Sequence, residues 1–248
     1  MLRQKLNKFS FFLASFLLFV IPPSLCWASN NLKGVEDPYE QKIIVESLKK
    51  LQSGISSVVA TIYQEKHLRV LKKDLQIRGS IILQKPNRLR METAAPEQSI
   101  TVVNGKTMTV YHPVEKEAEV YDFTEDIIAK NTMQFFNSIV WGSFKRLKER
   151  FKVKMLRDNN LIVFELSPLS SIIAKYLSSI TIEYDAETGL PEEFTLITPG
   201  GDKIQTRLSD IKINTTIKPG TFDLILPADV WITNRIEDDE NRKNNCCY

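Results

Sequence analysis

Between Ile55 and about Tyr121, and again from Phe151 to Ile213, side-chain polarity alternates with a period of two. No other feature constrains the fold as tightly. Successive side chains leave a strand on opposite faces, so sustained alternation dictates a sheet with one apolar face. Val58, Ala60 and Ile62 alternate with Val59, Thr61 and Tyr63. After Lys72-Lys73, the stripe Leu75, Ile77, Gly79, Ile81 and Leu83 opposes Gln76, Arg78, Ser80 and Gln84. Leu89, Met91 and Thr93 continue as the next strand. Asn104-Gly105 then joins Ile100–Val103 to Lys106–Tyr111, with the pair expected to supply the positive φ values of a two-residue hairpin. Turns at Asp158-Asn159-Asn160, Glu187-Thr188-Gly189 and Gly200-Gly201 divide the later strands. Pro219-Gly220 and Pro227 bracket a last strand around Phe222–Leu226. Roughly 10–11 strands result, too many for a flat open sheet to carry without curling. The class expected is α+β: a strongly curved antiparallel sheet covered by short helices.

Two helical segments interrupt the alternation. Asp37-Pro38-Tyr39-Glu40 is a start signal: Asp37 as N-cap, Pro38 at the first helical position, and Glu40 reaching back in a capping box. Ile44, Leu48 and Leu51 follow at helical spacing, and Ser53-Gly54 ends the run. Thr124 with Glu125-Asp126 predicts a second helix, followed by the bulky apolar cluster Met133, Phe135, Phe136, Ile139, Val140 and Trp141. Lys145–Lys154 is a basic stretch, and Ser170–Leu177 has room for one or two helical turns.

The ends are of another kind. Arg3, Lys5 and Lys8 precede an apolar run from Phe9 to Ile21, then Pro22-Pro23, and Cys26-Trp27-Ala28 places small residues at −3 and −1 of a cleavage site. This is the pattern of a signal peptide over 1–28, cut after Ala28. The run is shorter than the ~20 residues that span a bilayer. Leu25 directly before Cys26 argues against a lipidation signal. Residues 29–235 then form one domain, and 236–248 a polar tail with no expected order; Cys246 and Cys247 are adjacent within it and geometrically poor partners for each other. Of 33 Lys and Arg, three lie before Ala28, and all 30 Asp and Glu lie after it, so the mature chain carries 30 of each. Its net charge offers no electrostatic footprint for nucleic acid.

Chemistry-bearing motifs are scarce. His67 and His112 have no histidine or cysteine at metal spacing. There is no Gly-x-Ser-x-Gly elbow, and Ser47-Leu48-Lys49-Lys50 lacks the companion boxes of a Ser-x-x-Lys enzyme. Gly200-Gly201-Asp202 lies between strands, so it is a hairpin turn and not a phosphate loop. Glu92, Glu97 and Glu183 give no sign of a buried carboxylate pair. No catalytic residue, metal ligand or cofactor site is assigned. Helices over a curled sheet either bury an ordinary core or leave an apolar cavity, and periodicity does not distinguish the two.

The order of signals narrows this. An opening amphipathic helix is followed by "SSVVATIYQEK", Gly79, "LQKPNRLRME" and Pro96. Then comes "QSITVVNGKTMTVYHP" with its Asn104-Gly105 hairpin and Tyr111-His112-Pro113, and finally the stretch Phe222 to Val230. This series resembles the periplasmic lipoprotein carrier family, LolA. The resemblance implies an unclosed half-barrel with helices as a lid, working without a cofactor and without catalysis. It implies acylated lipoproteins as cargo, an inner-membrane ATP-driven exporter as partner, and an outer-membrane receptor. Leu75, Ile77, Ile81, Leu83, Leu89 and Met91 would line one wall, and Phe135, Phe136, Ile139 and Trp141 would come from the lid. Lys85 stands where the family has an arginine that latches the lid, and Leu89 matches the cavity mouth. A lysine offers a point charge instead of a planar fork, so its latch would be less fixed in geometry. Arg88 and Arg90 are read as solvent-facing or structural. Alternatives are the same fold binding another lipid or glycolipid, or an interaction module whose concave face is filled.

The leader makes the first testable point. Intact-mass measurement of the exported protein is expected to give a chain beginning at Ser29, and a product retaining residues 1–28 would mark an uncleaved anchor.

Overall fold

The alternating segments become strands, and their ladders were traced in a computed structural model that describes residues 32–123, 134, 137–141 and 144–234. The strands are β1 (Lys33–Gly34), β2 (Ser57–His67), β3 (Leu75–Gln84), β4 (Arg88–Thr93), β5 (Ser99–Asn104), β6 (Thr107–His112), β7 (Glu117–Asp122), β8 (Phe151–Arg157), β9 (Leu161–Pro168), β10 (Ser179–Asp185), β11 (Pro191–Ile197), β12 (Lys203–Ile213) and β13 (Trp231–Asn234). Three helices have defined bounds: α1 (Pro38–Ser53), α2 (Phe144–Arg150) and α3 (Ser171–Ala174). Thirteen strands hydrogen-bond in the order β1-β8-β9-β10-β11-β12-β2-β3-β4-β5-β6-β7-β13. The sheet is unclosed and mostly antiparallel, with β13 joining β7 in parallel. The expected α+β class holds. The strand number exceeds expectation because β1 and β13, at the two ends of the order, are too short to show alternation.

The chain divides into two compact units, one comprising residues 1–55, 62–78 and 135–209, the other 56–61, 79–134 and 210–248. In the first unit, α1 starts as expected at its cap, where the Asp37 carboxylate accepts from Tyr39 N at 3.1 Å. The capping box does not form. Glu40 instead meets Arg157 at 3.2 Å, a partner supplied by β8 and invisible to local pattern. Ile44, Leu48 and Gln52, four residues apart, form the buried face of α1. Gln52 Nε2 donates to the Gly189 carbonyl at 2.7 Å, fastening the helix end to the β10–β11 turn. That turn needs its glycine, since Gly189 has φ +70° and Leu51 packs against it. The sheet face of this unit runs in cross-strand rows such as Met155, Phe164, Ile182, Phe194 and Thr206. Helix α2, read from sequence only as a basic stretch, buries Phe144 and Leu147. Phe144 joins Phe164 and Tyr184 in an edge-on cluster with centroids 5.3–6.1 Å apart.

On the other face of these strands Glu183 lies opposite Glu193. Arg207 grips Glu193 Oε2 through Nε (3.1 Å) and Nη2 (2.7 Å), and Gln205 donates to Oε1. Burial first, and the Glu193 charge second, hold the Glu183 carboxyl above the usual carboxylate range, with Arg207 opposing. The two glutamates therefore do form a partly buried pair, contrary to the sequence reading. The Glu187-Thr188-Gly189 hairpin brings them together.

In the second unit, the Asn104-Gly105 hairpin forms with its turn displaced by one residue. Asn104 stays in β5, Gly105 alone of the pair takes positive φ (+102°), and the Asn104 side chain accepts from Lys106 N and Thr107 N at 3.1 Å. The anticipated last strand at Phe222–Leu226 is absent. That segment alternates in exposure, as a strand would, but pairs with no strand of the sheet. Turns at Thr221 N–Lys218 O and Asp223 N–Gly220 O break its ladder, and Pro227 removes a donor. Arg90 supplies the missing partners, donating through Nη1 to the carbonyls of Thr221 (3.1 Å) and Asp223 (3.5 Å). Arg88 lies 5.8 Å from the Phe222 ring centroid, with Phe222 itself buried. Both arginines are thus structural clamps on the C-terminal segment. An unpredicted short strand, β13, forms further on, anchored by Trp231 N to Lys116 O at 2.8 Å.

Two outcomes follow from this packing. An ideal Cβ on Gly79 would sit 2.2 Å from the Glu92 carbonyl oxygen, so Gly79→Ala should cost more than about 2 kcal/mol in chemical denaturation. A wild-type midpoint for that variant would contradict the close approach. Glu183 has a folded pKa raised above its unfolded value, so its contribution is most favourable at low pH and is lost as pH rises through the folded pKa. Glu183→Gln should therefore raise Tm at pH 7 by about 1–2 °C, and by less at pH 4.

Candidate functional site

The apolar stripe of β3 and β4 is where structure and expectation meet most directly. Antiparallel pairing sets Ile81 opposite Met91 and Leu83 opposite Leu89. The same face continues across β5 to β7: Leu89 pairs with Val103, Val103 with Met108, and Met108 with Tyr121. A parallel row runs Ile81, Met91, Thr101 and Val110 to Glu119. All of these are buried except Glu119, and Leu89 has no exposed surface (0%). The polar intrusions are managed locally, with the Tyr121 hydroxyl donating to the Glu119 carboxylate. The second unit thus has an apolar face five strands wide, of which the sequence reading had named only the β3 and β4 members. Met108 and Val110 were discoverable, because the hairpin after Asn104 fixes which side chains stand opposite Val103 and Thr101.

The remaining predicted residues fall elsewhere. Ile77 is buried on the same side of β3 as Ile81, within the first unit, and Leu75 at the strand start is half-buried. Ile139, also in the first unit, is buried in a helical stretch spanning 137–140. Its carbonyl accepts from the Tyr184 hydroxyl at 3.4 Å and from Gln52 Nε2 at 3.5 Å. Trp141 is half-buried at the end of that stretch, its N–H on the Asn137 carbonyl at 2.9 Å. Phe135 and Phe136 lie outside the described residues. Lys85 follows β3, half-buried in the turn, and its backbone N–H donates to the Ser56 carbonyl at 2.9 Å, tying the "LQKPNRLRME" corner to the entry of β2.

The sequence reading missed a polar feature inside the first unit. Gln64 and Lys66 follow Val58, Ala60 and Ile62 on the inward side of β2, and both are completely buried (0% exposed) and engaged with partners. Asn214 N on Ser57 O and Arg69 N on Asp202 Oδ1 mark the two ends of the β2–β12 pairing and set Thr206 level with this stretch. Its hydroxyl is buried without a hydrogen-bond partner. Inward parity, continuing from Val58, Ala60 and Ile62, was the available signal. Glu65 on the outward side is raised, by burial first and then by Asp74, with Lys203 and His67 opposing. Among the described residues no group of three or more His, Cys, Asp or Glu is arranged to hold a metal ion. Nor does any helix there have the length and hydropathy to cross a membrane.

This arrangement can be set beside known proteins. The family model "Outer membrane lipoprotein carrier protein LolA" matches residues 53–224. An outer-membrane lipoprotein carrier protein of Coxiella burnetii is 26% identical over 148 residues, covering 60% of this chain and 66% of that relative. The same-named protein of Idiomarina loihiensis is 22% identical over 189 residues, 76% of this chain and 85% of its own length. Among solved structures, an uncharacterized conserved protein from Thermus thermophilus has a TM-score of 0.48 at 11% identity, over 79% of this chain and 99% of its own. A LolA superfamily protein from Nitrosomonas europaea has a TM-score of 0.39 at 9% identity, over 74% and 97%. The family match takes in β2 through β12, the apolar face and both structural arginines, and extends over well more than half of the sequence: the chain belongs to the outer membrane lipoprotein carrier protein LolA family.

Proposed function

We propose that this protein is a periplasmic carrier that shelters the acyl chains of lipoproteins on their way from the inner to the outer membrane. Family membership supports a lipoprotein or lipid carrier. The observation that carries the finer reading is the continuous apolar face of the second unit, centred on Leu89 and Met91. Even ten methylenes of acyl chain moved through water would forgo roughly 8 kcal/mol of burial, so transit demands a face of this kind. Ile81, Leu83, Leu89 and Met91 are assigned to direct acyl contact, with Leu75 and Ile77 extending the stripe along β3.

Full burial of Leu89 has a mechanistic consequence. A ligand reaching it must displace whatever covers it, so loading is coupled to an opening movement. The lid role of Phe135, Phe136, Ile139 and Trp141 and the latch role of Lys85 are part of this proposal. Release is then as important as capture: a carrier that held its cargo too firmly could not pass it on. An ATP-driven exporter in the inner membrane would load the protein, and an acceptor at the outer membrane would receive the cargo. The chemistry is non-covalent throughout, with no catalytic group assigned.

Protein purified from envelope extracts is expected to carry acylated lipoproteins, identified by mass spectrometry; free lipid alone would contradict the cargo assignment. Leu89→Glu should reduce that co-purification at least about tenfold, since a carboxylate on the apolar face is costly to bury. A folded Leu89→Glu protein, judged by circular dichroism, that carried normal cargo would remove Leu89 from the site.

A further inference from the structure

Strand register gathers four connections at one end of the first unit. Phe151 begins β8 opposite Pro168 at the end of β9, and Ser179 begins β10 opposite Ile197 at the end of β11. Ile197 in turn pairs with Lys203 at the start of β12, and Arg69 after β2 bonds to Asp202 and Gly200. Helix α2, the segment 169–178, the turn 198–202 and the loop 69–74 therefore share an edge.

This edge combines two properties. Large apolar side chains stand in solvent on two of its segments: Val70 (87% exposed) on the loop 69–74, and Leu169 (61%) and Ile172 (69%) on 169–178, with Leu71, Tyr176 and Ile197 also exposed. Leu169 is held close to α2 through its N–H on the Arg150 carbonyl at 2.9 Å. The charge is one-sided. Residues 69–74, 145–152, 169–178 and 198–203 hold ten Lys and Arg against three Asp and Glu. Two of those acids are already engaged, Asp74 with His67 and Asp202 with the Arg69 backbone. At the opposite end of the same strands, residues 36–40, 157–161 and 185–192 hold seven Asp and Glu against one arginine. A formally neutral mature chain has thus been sorted along its strands, basic and apolar at one end and acidic at the other.

We propose that the basic, apolar edge of the first unit docks on the surface of an anionic phospholipid bilayer. Lysines and arginines near such a surface are attracted to its headgroups, while exposed apolar side chains enter the headgroup–acyl boundary. An acidic protein partner or a polyanion would use the charges and leave Val70, Leu169 and Ile172 in water, so the joint presence of both selects lipid. The acidic end, repelled by the same surface, orients the unit with this edge down. Docking in this way does not depend on what the second unit carries.

The test is co-sedimentation of the mature chain with vesicles of phosphatidylcholine alone or mixed in equal parts with phosphatidylglycerol. Binding to the mixed vesicles is expected to be at least about tenfold tighter than to phosphatidylcholine, and to weaken with added salt. The triple variant Lys145→Glu, Arg146→Glu, Lys148→Glu should lose at least about tenfold in affinity for mixed vesicles. Val70→Ser with Ile172→Ser should also weaken binding, by about tenfold, without changing its salt dependence. All five positions are exposed, so the melting curves should match wild type. Equal partition to both vesicle types, absence of binding to either, or wild-type binding by the charge-reversed protein would each overturn the proposal. Salt-sensitive binding unaffected by the two serine substitutions would overturn the lipid assignment in favour of an acidic macromolecule. Neither result alters the cargo found on protein from the envelope.

Discussion

The pleat of the backbone is the constraint from which the second unit follows. Its strands can bond to their neighbours only in registers that keep alternate side chains on one side, and apolar burial selects among those registers. Leu83, Leu89, Val103, Met108 and Tyr121 form one continuous row because each hairpin respects that choice. A slip of one residue at β4 would carry Arg88, Arg90 and Glu92 to the inward face and strip the C-terminal segment of its clamp. Gly79 is part of the same bargain between neighbours. It admits the Glu92 carbonyl to a distance that no side chain would tolerate.

The first unit solves a different problem, covering its sheet with helices that must be fastened. Gln52 does this at the end of α1 and the Ile139 carbonyl does it for the stretch 137–140, both through buried polar contacts aimed at backbone. Buried amides of this kind specify one docking because any other leaves them unsatisfied. The same strands carry a guanidinium-bound carboxylate pair on their opposite face, where Arg207 offsets only part of the repulsion between Glu183 and Glu193.

Much of this was legible in the residues. The stripe from Leu75 to Leu83, the start of α1 at Asp37 and the hairpins at Asn104-Gly105, Asp158-Asn159-Asn160, Glu187-Thr188-Gly189 and Gly200-Gly201 could be read, because each depends on side chains within a few positions of one another. What escaped depends on remote partners. Glu40 left its capping box for an arginine on β8, and Lys66 turned inward because the parity of β2 outweighed the local charge run. The segment after Pro219 alternates like a strand but is held by Arg90 from another strand, so the pattern was right and the bonding was elsewhere. The seven residues of α2 were hidden by their charge, since only Phe144 and Leu147 mark a buried side.

The three tryptophans are distributed in a way that has a practical consequence. Trp27 falls in the segment expected to be removed, Trp141 is half-buried in the first unit, and Trp231 is mostly in water in the second. Among the described residues there is therefore one indole per unit, in environments of different polarity, with the more sheltered one expected to emit to the blue of the other. The native fluorescence is a composite of two separable signals. Unfolding followed at the two ends of that emission band would report each unit individually, so that a single transition or a pair of them becomes visible without any label.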